Sequence, residues 1–157
     1  MKDAGWIDRF IRHLEVERRL SPLTCKNYRR DLELLLAFAE NAGLNDWSDL
    51  DNEHIRSYSA ASYRKGMSAR SIQRRLSAAR TFFRYLIREK VVDKSPVTSV
   101  SAPKGKKRLP ANLDADRMGR LLDIPGKGAL VERDRAILEL LYSSGLRLAE
   151  LVGLDCQ

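Results

Sequence analysis

The sequence has 157 residues, 43% hydrophobic and 32% charged, enough apolar content to bury a core and too much for a disordered chain. Its 29 Lys and Arg against 21 Asp and Glu give a net charge of +8, which points to a polyanionic partner such as nucleic acid. No apolar run approaches the ~18 residues of a spanning helix, the opening Met1-Lys2-Asp3-Ala4-Gly5-Trp6 has no signal-peptide core, and Cys25 and Cys156 stand too far apart for a Cys-x-x-Cys metal or redox pair, so the expectation is a cytoplasmic protein without a membrane partner or a metal site.

Helical spacing runs through almost the whole chain, and no strand signal interrupts it. A first helix is predicted from about Gly5 to Arg19, with Trp6, Ile7, Phe10, Ile11 and Leu14 on one side. Ser21-Pro22 then closes one helix and opens the next. Serine is a preferred N-cap, and proline is tolerated at the first helical position because its missing N–H would be unpaired there anyway. The second helix reaches about Ala42 and stops at Gly43, and Tyr28, Leu32, Leu35, Leu36 and Ala39 form its buried stripe. Cys25 falls among its apolar positions and reads as a reduced core residue. Asp51 caps a third helix carrying Ile55 and Tyr58, which ends near Gly66, and Ser68 caps a fourth that runs to about Glu89.

The composition changes from residue 91. Pro96, Pro103, Pro110, three serines and the run Lys104-Gly105-Lys106-Lys107-Arg108 read as an extended linker. The run carries four positive charges in five residues, which suits either a solvated linker or a strap along a DNA backbone. Asp114 caps a short helix with Met118, Leu121 and Leu122. A further helix spans about Leu130 to Ser143, Gly145 sits where a left-handed residue would end it, and Arg147 to Val152 begin another turn. The apolar residues of this stretch, among them Ile137, Leu140, Leu141, Leu148 and Leu151, call for more chain to cover them. The predicted organisation is therefore all-α, with a four-helix domain over residues 1–102, a linker at 103–112, and the truncated start of a second domain at 113–157.

The fourth helix carries the strongest functional signal. Between Arg56 and Lys90 there are ten basic residues and one acid, Glu89. At about 100° per residue, Arg70, Arg74, Ser77, Thr81, Arg84 and Arg88 fall in one arc, opposite Ile72, Leu76, Ala79, Phe83, Leu86 and Ile87. An ordinary solvated face mixes signs at i,i+4 spacing, whereas this stripe is cationic with small hydroxyl residues at its centre. It suits a helix laid in the major groove of DNA, where arginines reach phosphates or guanine edges. Lys26, Arg29 and Arg30 add a weaker basic face on the first half of the second helix, before Glu33 and Glu40 reverse the sign.

Residues 142–154 carry the order Tyr142-Ser143-Ser144-Gly145-Leu146-Arg147-Leu148-Ala149-Glu150-Leu151-Val152-Gly153-Leu154, which resembles the first catalytic-arginine box of the tyrosine recombinases, the phage integrase family. Ala149 stands where serine is common. Ser21-Pro22-Leu23-Thr24 with Tyr28 and Leu32 is similar to that family's second helix, and residues 77–86 to its fourth. Ser95-Pro96-Val97, Ala102-Pro103-Lys104 and Leu109-Pro110 resemble its interdomain connector, and residues 131–136 the helix before the arginine box. The resemblance implies a core-binding, SAM-like bundle followed by the first helices of a catalytic domain.

It also implies an enzyme that cuts and rejoins duplex DNA through a 3′-phosphotyrosyl intermediate, with no metal and no nucleotide cofactor, because the phosphoryl bond is kept in the covalent link. Arg147 matches the first arginine, which donates to the non-bridging phosphate oxygens. The partners implied are a short chromosomal recombination site, a second related recombinase in a heterotetramer, and a septal DNA translocase, with resolution of chromosome dimers at cell division as the task. The remaining catalytic groups have no counterpart among these 157 residues, so the chain by itself is expected to bind DNA without cutting it. Tyr142 is expected to be a packing residue and not the nucleophile, and His13 and His54 to serve surface or packing roles. An integrase of a phage or mobile element, a non-catalytic helical DNA-binding module, and a helical bundle whose basic face meets an acidic protein remain as alternatives; the DNA-binding module leaves the Gly145-Leu146-Arg147 box without a purpose, and a salt titration with duplex DNA separates the protein-binding bundle.

Overall fold

A computed structural model describes residues 5–103 and 112–154. Among them are seven α-helices and no strand: α1 (Gly5–Val16), α2 (Pro22–Asn41), α3 (Asn52–Arg64), α4 (Ala69–Arg88), α5 (Ala115–Leu122), α6 (Ala129–Ser144) and α7 (Leu148–Val152). The chain divides into two compact units, residues 1–107 and 108–157. The run from Lys104 to Arg108 lies outside the described residues.

The first unit is a bundle of α1–α4 in which α2 packs against α1 and α4, and α3 against α4. Helices α2, α3 and α4 each start where a side chain supplies the acceptor that the first turn lacks. Ser21 Oγ accepts from the Thr24 amide at 3.3 Å, Asp51 Oδ1 from His54 at 2.8 Å and Ser68 Oγ from Ser71 at 3.2 Å. Helix α1 stops three residues before the predicted end, because Arg19 steps to a φ of +48° and the Leu20 amide turns back to the Leu14 carbonyl.

The core is aromatic at its centre. Phe10 of α1 meets Phe82 of α4 edge-on at 5.3 Å between ring centres, and Trp47 meets Phe82 at 4.8 Å and Phe83 at 6.1 Å. These four side chains are fully buried, and each edge-to-face pair adds about 1 kcal/mol beyond the area it hides. Trp47 arrives through a short 3-10 turn, Trp47–Asp49, that periodicity does not reveal. Asp46 accepts from the Ser48 amide and Asp49 accepts from the amides of Asn45 and Asp46, which fixes the turn and drops the indole inward.

The stretch after α4 departs from the extended-linker expectation. Val92, Pro96, Val97 and Val100 are buried, and the three valines belong to the core cluster. Their apolar side chains have a place to go, and Arg80 of α4 donates to the Val100 carbonyl to hold them there. Ile87, placed on the buried side by phase, is instead 37% exposed near the C-terminal end of α4, while Ala78 and Phe82 widen the buried face.

The second unit is built from α5, α6 and α7. Asp114 caps α5 through the Arg117 amide at 2.8 Å, and Arg135 of α6 donates to the Ile124 carbonyl at 2.8 Å. Gly145 ends α6 at a φ of +66°, the left-handed conformation that glycine adopts without strain. No residue from 112 to 154 is buried, and Leu130, Leu148 and Val152 are at least two-thirds exposed.

Candidate nucleic-acid interface

The basic arc of α4 exists as a surface, but its charges are not equivalent. Arg70 is exposed and has no ion-pair or hydrogen-bond partner among the described residues. Arg84 is exposed and makes one neutral bond, from Nη2 to Thr81 Oγ1 at 3.3 Å. Thr81 in turn donates to the Ser77 carbonyl at 3.0 Å, so its hydroxyl hydrogen is spent on its own helix. Ser77 and Thr81 are half-buried, which leaves a shallow centre between the longer arginines. Arg88 is drawn to acids: it lies 3.0 Å from Glu89 and 3.9 Å from Glu17, with its guanidinium over the Tyr85 ring. A hydrogen bond from His13, helped by the charges of His13 and Arg88, holds Glu17 below the usual carboxylate range.

Arg74 is tied across the bundle. It pairs with Asp31 of α2, a carboxylate with no solvent exposure, while Arg75 Nε stands 3.7 Å from the other oxygen of the same group. Burial pushes the Asp31 carboxyl above its ordinary value, and Arg74, Arg75 and Arg30 offset part of that rise. Arg75 turns inward, with its side chain 14% exposed and Nη1 at 3.4 Å from Ser62 Oγ. Beside it the Tyr58 hydroxyl is buried, which raises its pKa. Two of the basic residues counted along α4, Arg75 and Arg80, therefore serve the interior.

On α2, Lys26 and Arg30 are exposed with no ion-pair or hydrogen-bond partner among the described residues. Arg29 pairs with Asp8 of α1, both well exposed. Exposed pairs of this kind contribute about 0–1 kcal/mol and exchange readily for a phosphate. The freely available cations of the two faces are thus Lys26, Arg30, Arg70 and Arg84, with Arg29 and Arg88 in loose reserve and Arg74 fixed. Between α1, α2 and α4 lies an open groove of about 450 Å3, floored by Phe10 and Leu14 and edged by Arg18, Tyr28, Arg84 and Arg88.

Sequence reasoning misses Asp31 because its partner Arg74 stands 43 positions away on another helix. A signal was present: Asp31 stands three residues after Tyr28 and four before Leu35, squarely on the stripe that the helical period buries. A carboxylate there needs a cation from another element.

Arg147 opens α7. Its side chain is 84% exposed, Nη1 donates to Glu150 at 3.0 Å, and its backbone amide donates to the second oxygen of the same carboxylate at 2.8 Å. The left-handed Gly145 and the start of α7 place this guanidinium in solvent, held among the described residues only by Glu150 of its own helix. Tyr142 is 58% exposed. His13 stacks on Tyr85 and pairs with Glu17, and His54 completes the cap of α3, so both histidines have structural work. Among the described residues no cluster of His, Cys, Asp and Glu suits a metal ion, and no helix is long and apolar enough to cross a membrane.

The family model described as phage integrase, N-terminal SAM-like domain, matches residues 7–90, which span α1–α4. Tyrosine recombinase XerC of Shigella dysenteriae is 48% identical over 149 residues, covering 95% of this chain and 50% of the relative. Tyrosine recombinase XerC of Escherichia coli K12 matches to the same extent. The chain thus spans about half the length of these curated relatives. Among solved structures, the integrase from mycobacterium phage Brujita aligns with a TM-score of 0.57 at 21% identity, over 95% of this chain and 48% of that one. This last likeness bears on the fold alone.

Proposed function

Because the chain belongs to the phage integrase family, whose N-terminal SAM-like domain it carries at residues 7–90, we propose that it is the DNA-binding portion and the beginning of the catalytic domain of a XerC-like tyrosine recombinase. In this reading residues 1–102 grip duplex DNA, 103–112 link, and 113–157 start the catalytic domain. The observation that carries the proposal is the pairing of two features in one chain: the cationic faces of α2 and α4, and an exposed Arg147 directly after the left-handed turn at Gly145. The 48% identity to XerC supports it by running through both.

Lys26, Arg30, Arg70 and Arg84 reach phosphates, with Arg29 and Arg88 exchanging their exposed acids for DNA, and Ser77 and Thr81 let the α4 backbone approach the groove. In the complete protein a tyrosine hydroxyl attacks the scissile phosphate and displaces the 5′-hydroxyl of the next nucleotide, leaving a 3′-phosphotyrosyl bond. The 5′-hydroxyl of the partner strand then displaces the tyrosine, and two such exchanges pass through a Holliday junction. Arg147 donates to the non-bridging oxygens, whose negative charge grows in the transition state; a planar, permanently charged fork fits that task. Its pairing with Glu150 is exposed and weak, so a phosphate competes well for it.

The proposed setting is a dif-like chromosomal site, with a XerD-like recombinase completing a heterotetramer and a septal DNA translocase as a further partner, converting chromosome dimers to monomers in the cytoplasm. The test is a plasmid with two directly repeated dif-like sites, incubated with the complete recombinase and its XerD-like partner. Excision of the intervening segment is the expected outcome; intact plasmid under conditions where both proteins bind the sites would refute the setting.

A further inference from the structure

We infer that Asp31 is a positioning residue for sequence recognition: buried beneath the DNA-facing surface, it fixes the Arg74 guanidinium of α4 so that this one arginine reads a base edge while its neighbours hold the backbone. The inference rests on the DNA-binding reading above and goes further by separating the cations of α4 into two kinds.

A buried carboxylate is costly unless it is paired and hydrogen-bonded. Asp31 has two arginines within reach, and the more enclosed of them, Arg75, would be the natural partner if neutralising the charge were all that was needed. The hydrogen bond goes instead from Arg74, whose side chain is 36% exposed, to Asp31 Oδ2. Arg75 Nε stays at 3.7 Å from Oδ1, and neither of those two buried atoms has a hydrogen-bond partner among the described residues. The one strong bond of the cluster is therefore given to the arginine that reaches the surface. Arg74 Nη1 is occupied, while Nε and Nη2 make no bond within the described residues. A guanidinium has five donors in a rigid plane, so anchoring one edge leaves the rest pre-aimed.

Arg70 and Arg84 lack any such anchor. A swinging cation finds a phosphate wherever the backbone runs, which gives affinity without sequence information. A fixed, planar fork matches the two acceptors of guanine, O6 and N7, and penalises other bases. Fixing it before binding also removes rotamer freedom that would otherwise be lost in the complex.

The test uses this chain and a pool of short duplexes with a randomised centre, from which bound sequences are recovered and then assayed singly against a scrambled duplex. The expected result is enrichment of a sequence containing a guanine that both Asp31→Asn and Arg74→Lys cease to select. Discrimination at that base pair should fall on the order of tenfold, by more than affinity for the scrambled duplex changes. In an Arg74→Ala background, Asp31→Asn should change discrimination no further, which separates positioning through Arg74 from a general loosening of the bundle. If Asp31→Asn does not fold by thermal melting, Arg74→Lys decides alone, since it keeps the charge and the carboxylate and removes only the fork. Retained discrimination in Arg74→Lys, or an Asp31→Asn effect that persists without Arg74, overturns the inference. Binding without enrichment of any sequence also overturns it and leaves the DNA-binding reading standing; no binding at low salt defeats that reading itself.

Discussion

Arg80 of α4 donates from Nη2 to the carbonyl oxygen of Val100, twenty residues further along the chain. This bond pins the segment that leaves the bundle, whose Val97 and Val100 side chains are buried. Arg80→Ala should lower the stability of the first unit by about 2 kcal/mol, the usual range for a bond from a charged donor to a buried acceptor. It should also speed hydrogen exchange and proteolysis around residues 97–103. Denaturant unfolding and limited digestion check this; wild-type protection there would mean that the valines hold the segment unaided.

Charge on the α4 arc should register in the salt dependence of DNA binding. Each phosphate contact contributes about 0.9 to the slope of log affinity against log salt. Arg70→Gln and Arg84→Gln should each flatten the slope by about that amount and weaken binding at low salt, and Lys2→Gln should do neither. Mobility-shift titrations over a range of salt measure it directly. Charge reversal at Arg74 is a poor substitute, because a glutamate there would face buried Asp31 and disturb the fold.

Two carboxylates of the bundle, Asp51 and Asp31, should respond to acid in opposite directions. The His54 backbone amide holds Asp51 below its usual 3.8. Its contribution is present above 3.8 and is lost as pH falls through the lowered folded value. Burial holds Asp31 above 3.8, so its contribution is fully present below 3.8 and is lost as pH rises through the raised folded value. Asp51→Asn keeps a capping oxygen and should flatten the acid limb of the stability curve. Asp31→Asn should gain on the wild type as pH rises across the Asp31 window. Thermal melts as a function of pH test both, and a parallel pair of curves for either variant would contradict its assignment.

Arg147 should matter to chemistry and not to binding. In the complete recombinase, Arg147→Ala should bind site DNA nearly as well as wild type and cleave it slower by about two to three orders of magnitude. One charge-assisted donor to a developing oxyanion is worth ~3 kcal/mol or more. Arg147→Lys should recover little, because an ammonium lacks the two-pronged geometry. A suicide substrate that traps the phosphotyrosyl bond, run beside a mobility shift, reads both quantities. Equal trapping by the alanine variant would make Arg147 an ordinary helix-start residue.

What could be read from the residues was what depends on near neighbours. The caps at Ser21, Asp51, Ser68 and Asp114, and the left-handed Gly145, involve partners three or four positions away, and the structure places each where the spacing predicts. The basic arc of α4 was legible for the same reason. Its division was not, because Arg74 meets an acid 43 positions away and Arg29 one 21 positions away, pairings that only the packed bundle creates. The docking of residues 92–100 was hidden likewise: prolines and serines suggested exposure, while the valines between them needed the core to exist before their place could be known. The 3-10 turn at Trp47 is too short to leave a period.

The position of Trp47 gives the molecule an optical asymmetry. The sequence has two tryptophans, and both lie in the first unit. Trp47, fully buried between Phe82 and Phe83, should emit to the blue of Trp6, which is half-buried with the Arg9 guanidinium 4.6 Å from its ring. Tryptophan emission, excited apart from the tyrosines, should therefore report on the first unit: its blue component should be lost when α4 and the Trp47 turn separate, whereas α6 and α7 carry no tryptophan of their own.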